Sequence, residues 1–345
     1  MIRILPCGAF QNRQPLAYGP ILARLGQEVE LVDHPADAQI ALISHYMDIE
    51  LFGDRLAKMR VRHPDLRIVL LSEEPFWDIG WSPDPFSRDQ IFSTSPAALP
   101  VRVLNHQNSA IYRTDRIPYF LLTDPRYTAR YRWLFDRNAG RSVSDWLAHF
   151  RSAEWDAAFL NEKRLHDRDR IAFPEQEVWG LSYYRTRFAL RCTRGRVLRT
   201  GKGWEPGVDR LQLEDWHEDK LNRLDLRCRH VAAFENTHQI DYISEKPYDA
   251  FAVGAVPLYF ASPGHGFLRL FGAPEDSGWL NFYAPPPEAP DFDARRPVSL
   301  REAEAYAKTQ ERLAQLFVDP ALLRDEIDRF GYRLVAELRA AITPH

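Results

Sequence analysis

The chain has 345 residues, 45% hydrophobic and 27% charged; this excludes general disorder and, being too long for one ordinary core, leads us to expect two domains of comparable size. A formal net charge of −3, from 45 basic and 48 acidic side chains, excludes a general attraction to nucleic acid or anionic lipid, so any anion site must be local. Cys7, Cys192 and Cys228 are sparse, odd in number and without metal-type spacing, which fits a reducing compartment rather than a disulfide framework.

In chain order, Ile2–Leu5, Val29–Val32, Gln39–Ser44 and Arg67–Leu71 read as short apolar strands, with helical spacing over Pro20–Leu25 and Ile49–Arg60 between them. Strands alternating with helices predict a parallel sheet covered on both faces. The opening residues Met1–Leu5 run straight into a polar turn rather than a signal-peptide pattern. No apolar run approaches the roughly 20 residues needed to span a bilayer. A cytoplasmic location is therefore expected, with peripheral membrane contact left open. Residues 81–130, rich in Pro, Asp, Ser and Thr, read as long loops around the apolar islands Val101–Leu104 and Tyr119–Leu122.

Asn138-Ala139-Gly140-Arg141-Ser142 is the best linker candidate, and it suggests domains over 1–150 and 151–345. The alternation then restarts, with a strand at Ala157–Leu160, a helix at Tyr183–Arg191 and a strand at Val231–Phe234. Pro285-Pro286-Pro287 with Pro290 marks a stiff connection. Two helices close the chain. Ser299 and Glu302 form a capping box for the first. Asp319-Pro320 opens the second, whose stripe Leu323, Ile327, Phe330, Leu334, Leu338 predicts one buried face.

The most informative stretch is 234–263. A strand end is followed by a loop holding Glu235, Asn236, Asp241, Tyr242, Glu245 and Lys246, then a helix from Pro247 to about Val253, a glycine stop at Gly254 and a second strand. Loops between a strand's carboxyl end and a helix's amino end are where open α/β sheets hold phosphorylated ligands. Lys246 is the first choice for a diphosphate, as the cap ahead of a helix whose free N–H groups converge on the same anion. Without the surrounding motif, a solvated lysine at a helix start is the preferred reading.

This stretch also resembles a family. Phe234-Glu235-Asn236-Thr237, Asp241-Tyr242, Glu245-Lys246, Gly254 and Val256-Pro257 are similar in order and spacing to the donor signature of α1,3/α1,4-fucosyltransferases (glycosyltransferase family 10). Pro247 departs from it, since the family has a hydrophobic residue there. The resemblance implies two Rossmann-like domains facing across a cleft, the GT-B arrangement, where the sequence pattern by itself supports only two α/β domains with C-terminal helices. It also implies inverting transfer of L-fucose from GDP-fucose to a hydroxyl of a glycan acceptor, with a bacterial polysaccharide or lipopolysaccharide as the family's default.

Such a transfer needs cations facing the leaving diphosphate, negative charge near an oxocarbenium-like sugar and a base for the acceptor hydroxyl. The resemblance assigns Lys246 to the diphosphate, Glu245 to the ribose hydroxyls or the developing sugar cation, Tyr242 to stacking or hydrogen bonding on the nucleotide, and Glu235 and Asn236 to the strand end facing the donor, with Asp241 as a helper. It also implies an arginine at a helix start with an aromatic residue three positions later. Arg185 with Phe188, ahead of Gly201-Lys202-Gly203, fits that layout, and Arg187 competes with it.

The base is expected from the other domain. Family members carry Glu-x-Pro after a strand, and Glu73-Glu74-Pro75 follows Arg67–Leu71, with Glu73 preferred over Glu74 and His106 next. Adjacent Phe76, Trp77 and Trp81 are of the type that stacks on sugars but also of the type that packs under loops. Asp167-Arg168-Asp169 superficially resembles a metal-binding motif but lies in an alternating charge run of the solvated kind. No metal or other cofactor is expected. Two further readings stay open: a transferase of the same fold using another nucleotide sugar, and a non-catalytic protein that binds a nucleotide sugar or a glycan.

Overall fold

The computed structural model describes residues 1–204 and 212–343. The chain divides into two compact units, Met1–Pro125 with Leu323–His345, and Arg126–Leu322.

The first unit alternates strands β1 (Ile2–Pro6), β2 (Val29–Leu31), β3 (Ile40–Ile43), β4 (Arg67–Leu71), β5 (Asp89–Phe92) and β6 (Leu99–Leu104) with helices α1 (Gly19–Leu25), α2 (Tyr46–Arg62), α3 (Pro75–Trp81) and α4 (Tyr119–Leu122). Its sheet has the order β2-β1-β3-β4-β6-β5, parallel except where β5 runs against β6. The register sets Ile4 beside Ile40 and Val69 beside Arg102. β3 and most of β4 are buried on both faces, as a parallel strand covered on each side must be. Helix α2 begins three residues before its predicted start. His45 accepts the Met47 N–H at 2.9 Å and makes a reciprocal capping box with Asp48, a use of histidine outside the usual capping set.

In the second unit, α5 (Pro125–Ala139) and α6 (Val143–Ser152) precede β7 (Trp155–Leu160), β8 (Ala172–Phe173), β9 (Val178–Gly180), α7 (Ser182–Arg191), β10 (Val197–Thr200), α8 (Trp216–Leu224), β11 (Cys228–Ala232), β12 (Thr237–His238), α9 (Lys246–Ala252), β13 (Val256–Tyr259), α10 (Gly266–Phe271), α11 (Pro274–Ser277), β14 (Leu280–Asn281) and α12 (Leu300–Val318). The main sheet, β10-β7-β11-β13-β14, is parallel throughout. Three short antiparallel strands, β12-β9-β8, form a second sheet. Phe159, Tyr184, Phe188, Phe234 and Phe260 form an aromatic core beside the main sheet.

Three expectations are corrected. The segment 138–142 is not an interdomain linker but a tight turn between α5 and α6. Asn138 is buried and donates to the carbonyls of Phe251 and Ala252 and to Gln310, while Ser142 and Asp145 form the capping box of α6. Polar composition suggested a linker because helix ends and buried amides use the same residue types. The unit division therefore falls at 125/126, and residue 150 lies inside α6. Residues 81–130 carry β5, β6, α4 and the start of α5 rather than only loops.

The closing helix α13 (Pro320–Ile342) is grouped from Leu323 onward with the first unit. Ile327, Phe330, Leu334 and Leu338 are buried, and Phe330 stacks on Tyr119 at 4.9 Å between centroids. Among the described residues no helix is long and apolar enough to cross a membrane.

Candidate functional site

In the second unit, the carboxyl ends of β7, β10 and β11 open onto a cavity of about 330 Å³. Its lining comes from Asn161 and Glu162 after β7, Arg185 on α7, Gly201 and Lys202 after β10, one face of α8, Phe234 and Asn236 after β11, and Glu245 and Lys246. Among the described residues the basic side chains are Arg164, Arg185, Lys202, Lys220, Arg223 and Lys246, and the acidic ones are Glu162, Asp219 and Glu245. A chain that is negative overall thus carries a local excess of positive charge at the ligand-binding edge of a parallel sheet.

Phe234 anchors the predicted loop by packing on Tyr184 and Phe188, at 5.4 and 5.0 Å between centroids. Arg185, only 8% exposed, reaches back to the Phe234 carbonyl at 3.4 Å. Arg187, two positions on, is exposed and does not line the cavity. The helical period separates them, turning 185 inward with Phe188 and 187 outward. Beyond β10, Gly201 has φ of +120°, and a side chain there would meet the Asn161 carbonyl at 2.7 Å. The Gly-Lys-Gly turn is thus required for the backbone to approach the end of β7.

Asn236, Glu245 and Lys246 of the signature reach the cavity, but Glu235 and Tyr242 are placed otherwise. Glu235 accepts the Ser244 backbone N–H at 2.8 Å, the Ser244 hydroxyl at 2.6 Å and the Lys246 ammonium at 3.1 Å. It clasps the loop closed. Burial raises its carboxyl above the usual range, against the opposing pull of Lys246. Tyr242 is buried and is not among the residues lining the cavity. Asp241 pairs with Arg269.

Lys246 opens α9 as its first residue, with Glu245 at the cap position, so the expected cap is displaced by one. Pro247 then sits in the first turn, where its missing N–H costs nothing. α9 spans only seven residues, so the ammonium, rather than a summed helix dipole, supplies the positive charge. Burial pushes Glu245 up, but the ammoniums of Lys246 and Lys220 outweigh it and hold this carboxyl below its ordinary range.

Glu73 and Glu74 lie in the first unit, between β4 and α3. Glu73 is 1% exposed and accepts from the Tyr18 hydroxyl at 2.8 Å, the Tyr119 hydroxyl at 2.7 Å and the Arg13 guanidinium at 3.2 Å. Burial, then the neighbouring Glu73, raise both phenols far above their usual range, so each is a neutral donor. Glu74 caps α3, accepting the Phe76 N–H at 3.3 Å. His106 contacts the Glu73 carbonyl at 3.1 Å and stacks on Tyr112. Burial lowers it to about 3, so it stays neutral. Trp77 and Trp81 pack around His45, and Phe10 stacks on His45 at 4.6 Å while also meeting Trp77 edge-on.

Asp167 is exposed, Asp169 is buried, and neither lines the cavity. Among the described residues no group of three or more His, Cys, Asp or Glu is arranged to hold a metal ion.

Sequence reading missed helix α8, whose Trp216, Asp219, Lys220 and Arg223 form one cavity wall. The signal was present: Asp215 stands three residues before Glu218, accepts its N–H at 3.0 Å and starts the helix. It missed Arg13, Tyr18 and Tyr119 as well, which come to Glu73 from distant parts of the chain.

No protein-family model matches the chain, and no curated protein does. Among solved structures, the chain is similar to an α1,3-fucosyltransferase solved with GDP-fucose, at 12% identity and a TM-score of 0.41, covering 99% of this chain and 89% of that one. A second α1,3-fucosyltransferase structure gives 12% identity and a TM-score of 0.43 over the same coverage. A UDP-forming trehalose-phosphate synthase from Burkholderia xenovorans is similar at 12% identity, with a TM-score of 0.26 over 89% of this chain and 62% of that one.

Proposed function

We propose that this chain is a glycosyltransferase that moves L-fucose from GDP-fucose to a hydroxyl of a glycan, with inversion. The observation that carries the reading is the positively charged cavity at the carboxyl edge of the second sheet. There Arg185 joins Asn236, Glu245 and Lys246, the polar residues of the fucosyltransferase-like signature that line it. A parallel sheet offers phosphorylated ligands this edge, and the local cations match a leaving diphosphate.

In this reading Arg185 and Lys246 neutralise the diphosphate as the sugar bond breaks. Glu245, kept ionised by neighbouring ammoniums, holds the ribose or steadies the positive sugar. Glu73 is the proposed base. The Arg13 guanidinium is the longest of its three contacts, so an acceptor hydroxyl would enter there while the tyrosines hold the carboxylate in place. Glu74, engaged as the α3 cap, is the weaker candidate. No metal is assigned a role, because side-chain cations face the diphosphate.

Calorimetric titration with GDP, GDP-fucose, UDP-sugars and CMP-sugars tests the donor, followed by mass spectrometry of products on N-acetyllactosamine-type acceptors in EDTA. Preference for the guanine nucleotides and turnover in the chelator are expected. Tighter binding of a UDP-sugar would reject the fucosyl reading in favour of another nucleotide sugar. Binding without turnover on any acceptor would favour a non-catalytic binding protein. Loss of turnover in EDTA that manganese restores would show that the reaction needs a metal.

A further inference from the structure

Lys246 is already engaged. Its ammonium donates to Glu235 at 3.1 Å and to the Ser244 hydroxyl at 2.9 Å, with Glu245 at 3.6 Å. Lys220 on α8 differs. Its side chain is 15% exposed and lines the same cavity, and its ammonium donates to Asp249 at 2.7 Å. An ammonium has three N–H donors. Among the described residues Asp249 is the hydrogen-bond acceptor for one of them, which leaves two for a ligand.

Asp249 is built to hold that lysine still. Its side chain is 1% exposed, and its other oxygen accepts the Tyr131 hydroxyl at 2.6 Å and His217 at 2.7 Å. Burial would raise this carboxyl, but Lys220 and His217 outweigh burial and hold it well below its ordinary range. A buried carboxylate on α9, fixed by partners on α5 and α8, thus sets where the Lys220 ammonium stands. A flexible surface lysine would lose side-chain freedom on binding an anion; one anchored in advance loses less.

We propose that Lys220 is a further diphosphate-binding cation of this cavity and that Asp249 is its positioning residue. This rests on the donor-site reading above. Lys220 then adds to Arg185 and Lys246 at the phosphates, while Lys246 also closes the loop through Glu235.

The test is calorimetric binding of GDP, guanosine and inorganic pyrophosphate to the full chain and to Lys220→Ala, Lys220→Arg and Asp249→Asn, with each variant's melting temperature recorded. Lys220→Ala should weaken GDP and pyrophosphate about 10-fold or more while guanosine is unchanged. Lys220→Arg should recover part of the loss. Asp249→Asn should act in the same direction as Lys220→Ala, again on phosphate-bearing ligands alone. A fold defect would weaken guanosine as well, and that pattern in Lys220→Ala and Lys220→Arg together would overturn the proposal. Unchanged GDP affinity in Lys220→Ala would also overturn it. If the wild-type chain binds pyrophosphate but not GDP, and Lys220→Ala loses the former, the inference stands and the GDP reading falls. If the wild-type chain binds neither, both fall.

Discussion

At the scale of single residues, Glu73 shows how burial and chemistry constrain each other. A carboxylate 1% exposed is tolerated because Arg13, Tyr18 and Tyr119 satisfy it. The same donors fix its rotamer, which a positioned base requires. On the proposed reading of Glu73 as base, Glu73→Gln keeps the shape but cannot take a proton, so turnover should fall roughly 100-fold or more while binding of the proposed donor, GDP-fucose, stays near wild type. Glu74→Gln retains an oxygen that can cap α3, and a mild effect is expected. Single-turnover rates with donor titrations decide this; full activity in Glu73→Gln would remove it from the chemistry. The residue types at 73–75 were legible in the sequence. Their partners were not, because Tyr18 and Tyr119 lie 55 and 46 positions away.

At the scale of elements, the stretch from α9 to β13 is the best specified. Gly254 takes φ of +78° just after the helix, where a Cβ would stand 2.6 Å from Leu226 and 3.2 Å from Trp146. Gly254→Ala should therefore cost on the order of 1–2 kcal/mol, the penalty for a left-handed non-glycine residue. Urea denaturation monitored by tryptophan fluorescence reads it. A midpoint equal to wild type would mean that the helix end relaxes into another conformation. α8 is the counterexample. Its sequence is polar nearly throughout, and only the surrounding sheet edge and Asp249 make one of its faces a cavity wall.

At the scale of the whole molecule, titratable groups buried in both units set the pH response. Burial holds His45, His230 and His238 at about 4 and His106 at about 3, and it lowers His149 and His265 too. These groups are depressed, so their contribution is present above the unfolded value of about 6.5 and is lost progressively as pH falls from there through the lower folded values. Asp78 works in the opposite sense. Burial raises it to about 8, so its contribution is lost as pH rises towards that value; Glu235 and Glu326 are raised in the same direction. Six depressed histidines outweigh three raised carboxyls on the acid side. A melting-temperature maximum near about pH 6.5 is expected, falling towards pH 5 and more gently towards pH 8. Asp78→Asn should flatten the alkaline limb. A melting temperature that climbs steadily to pH 8 in the wild type would contradict this balance.

The sequence by itself determined what is local. Apolar runs such as Arg67–Leu71, the capping box at Ser299 and Glu302, the stripe on α13 and the glycine stop at 254 all depend on neighbours within a few turns of chain, and each is found in the fold. The helical period likewise contained the choice between Arg185 and Arg187, although burial was needed to make it. Tertiary structure alone decided the rest. It turned Glu235 from a cavity residue into the clasp of its own loop, and it made Asn138 a buried amide rather than part of a linker. It grouped the closing helix with the first unit and brought Lys220 to the cavity through Asp249, 29 residues away. Those outcomes depend on contacts between distant segments, and a polar residue type is the same whether it meets water, a ligand or a buried partner.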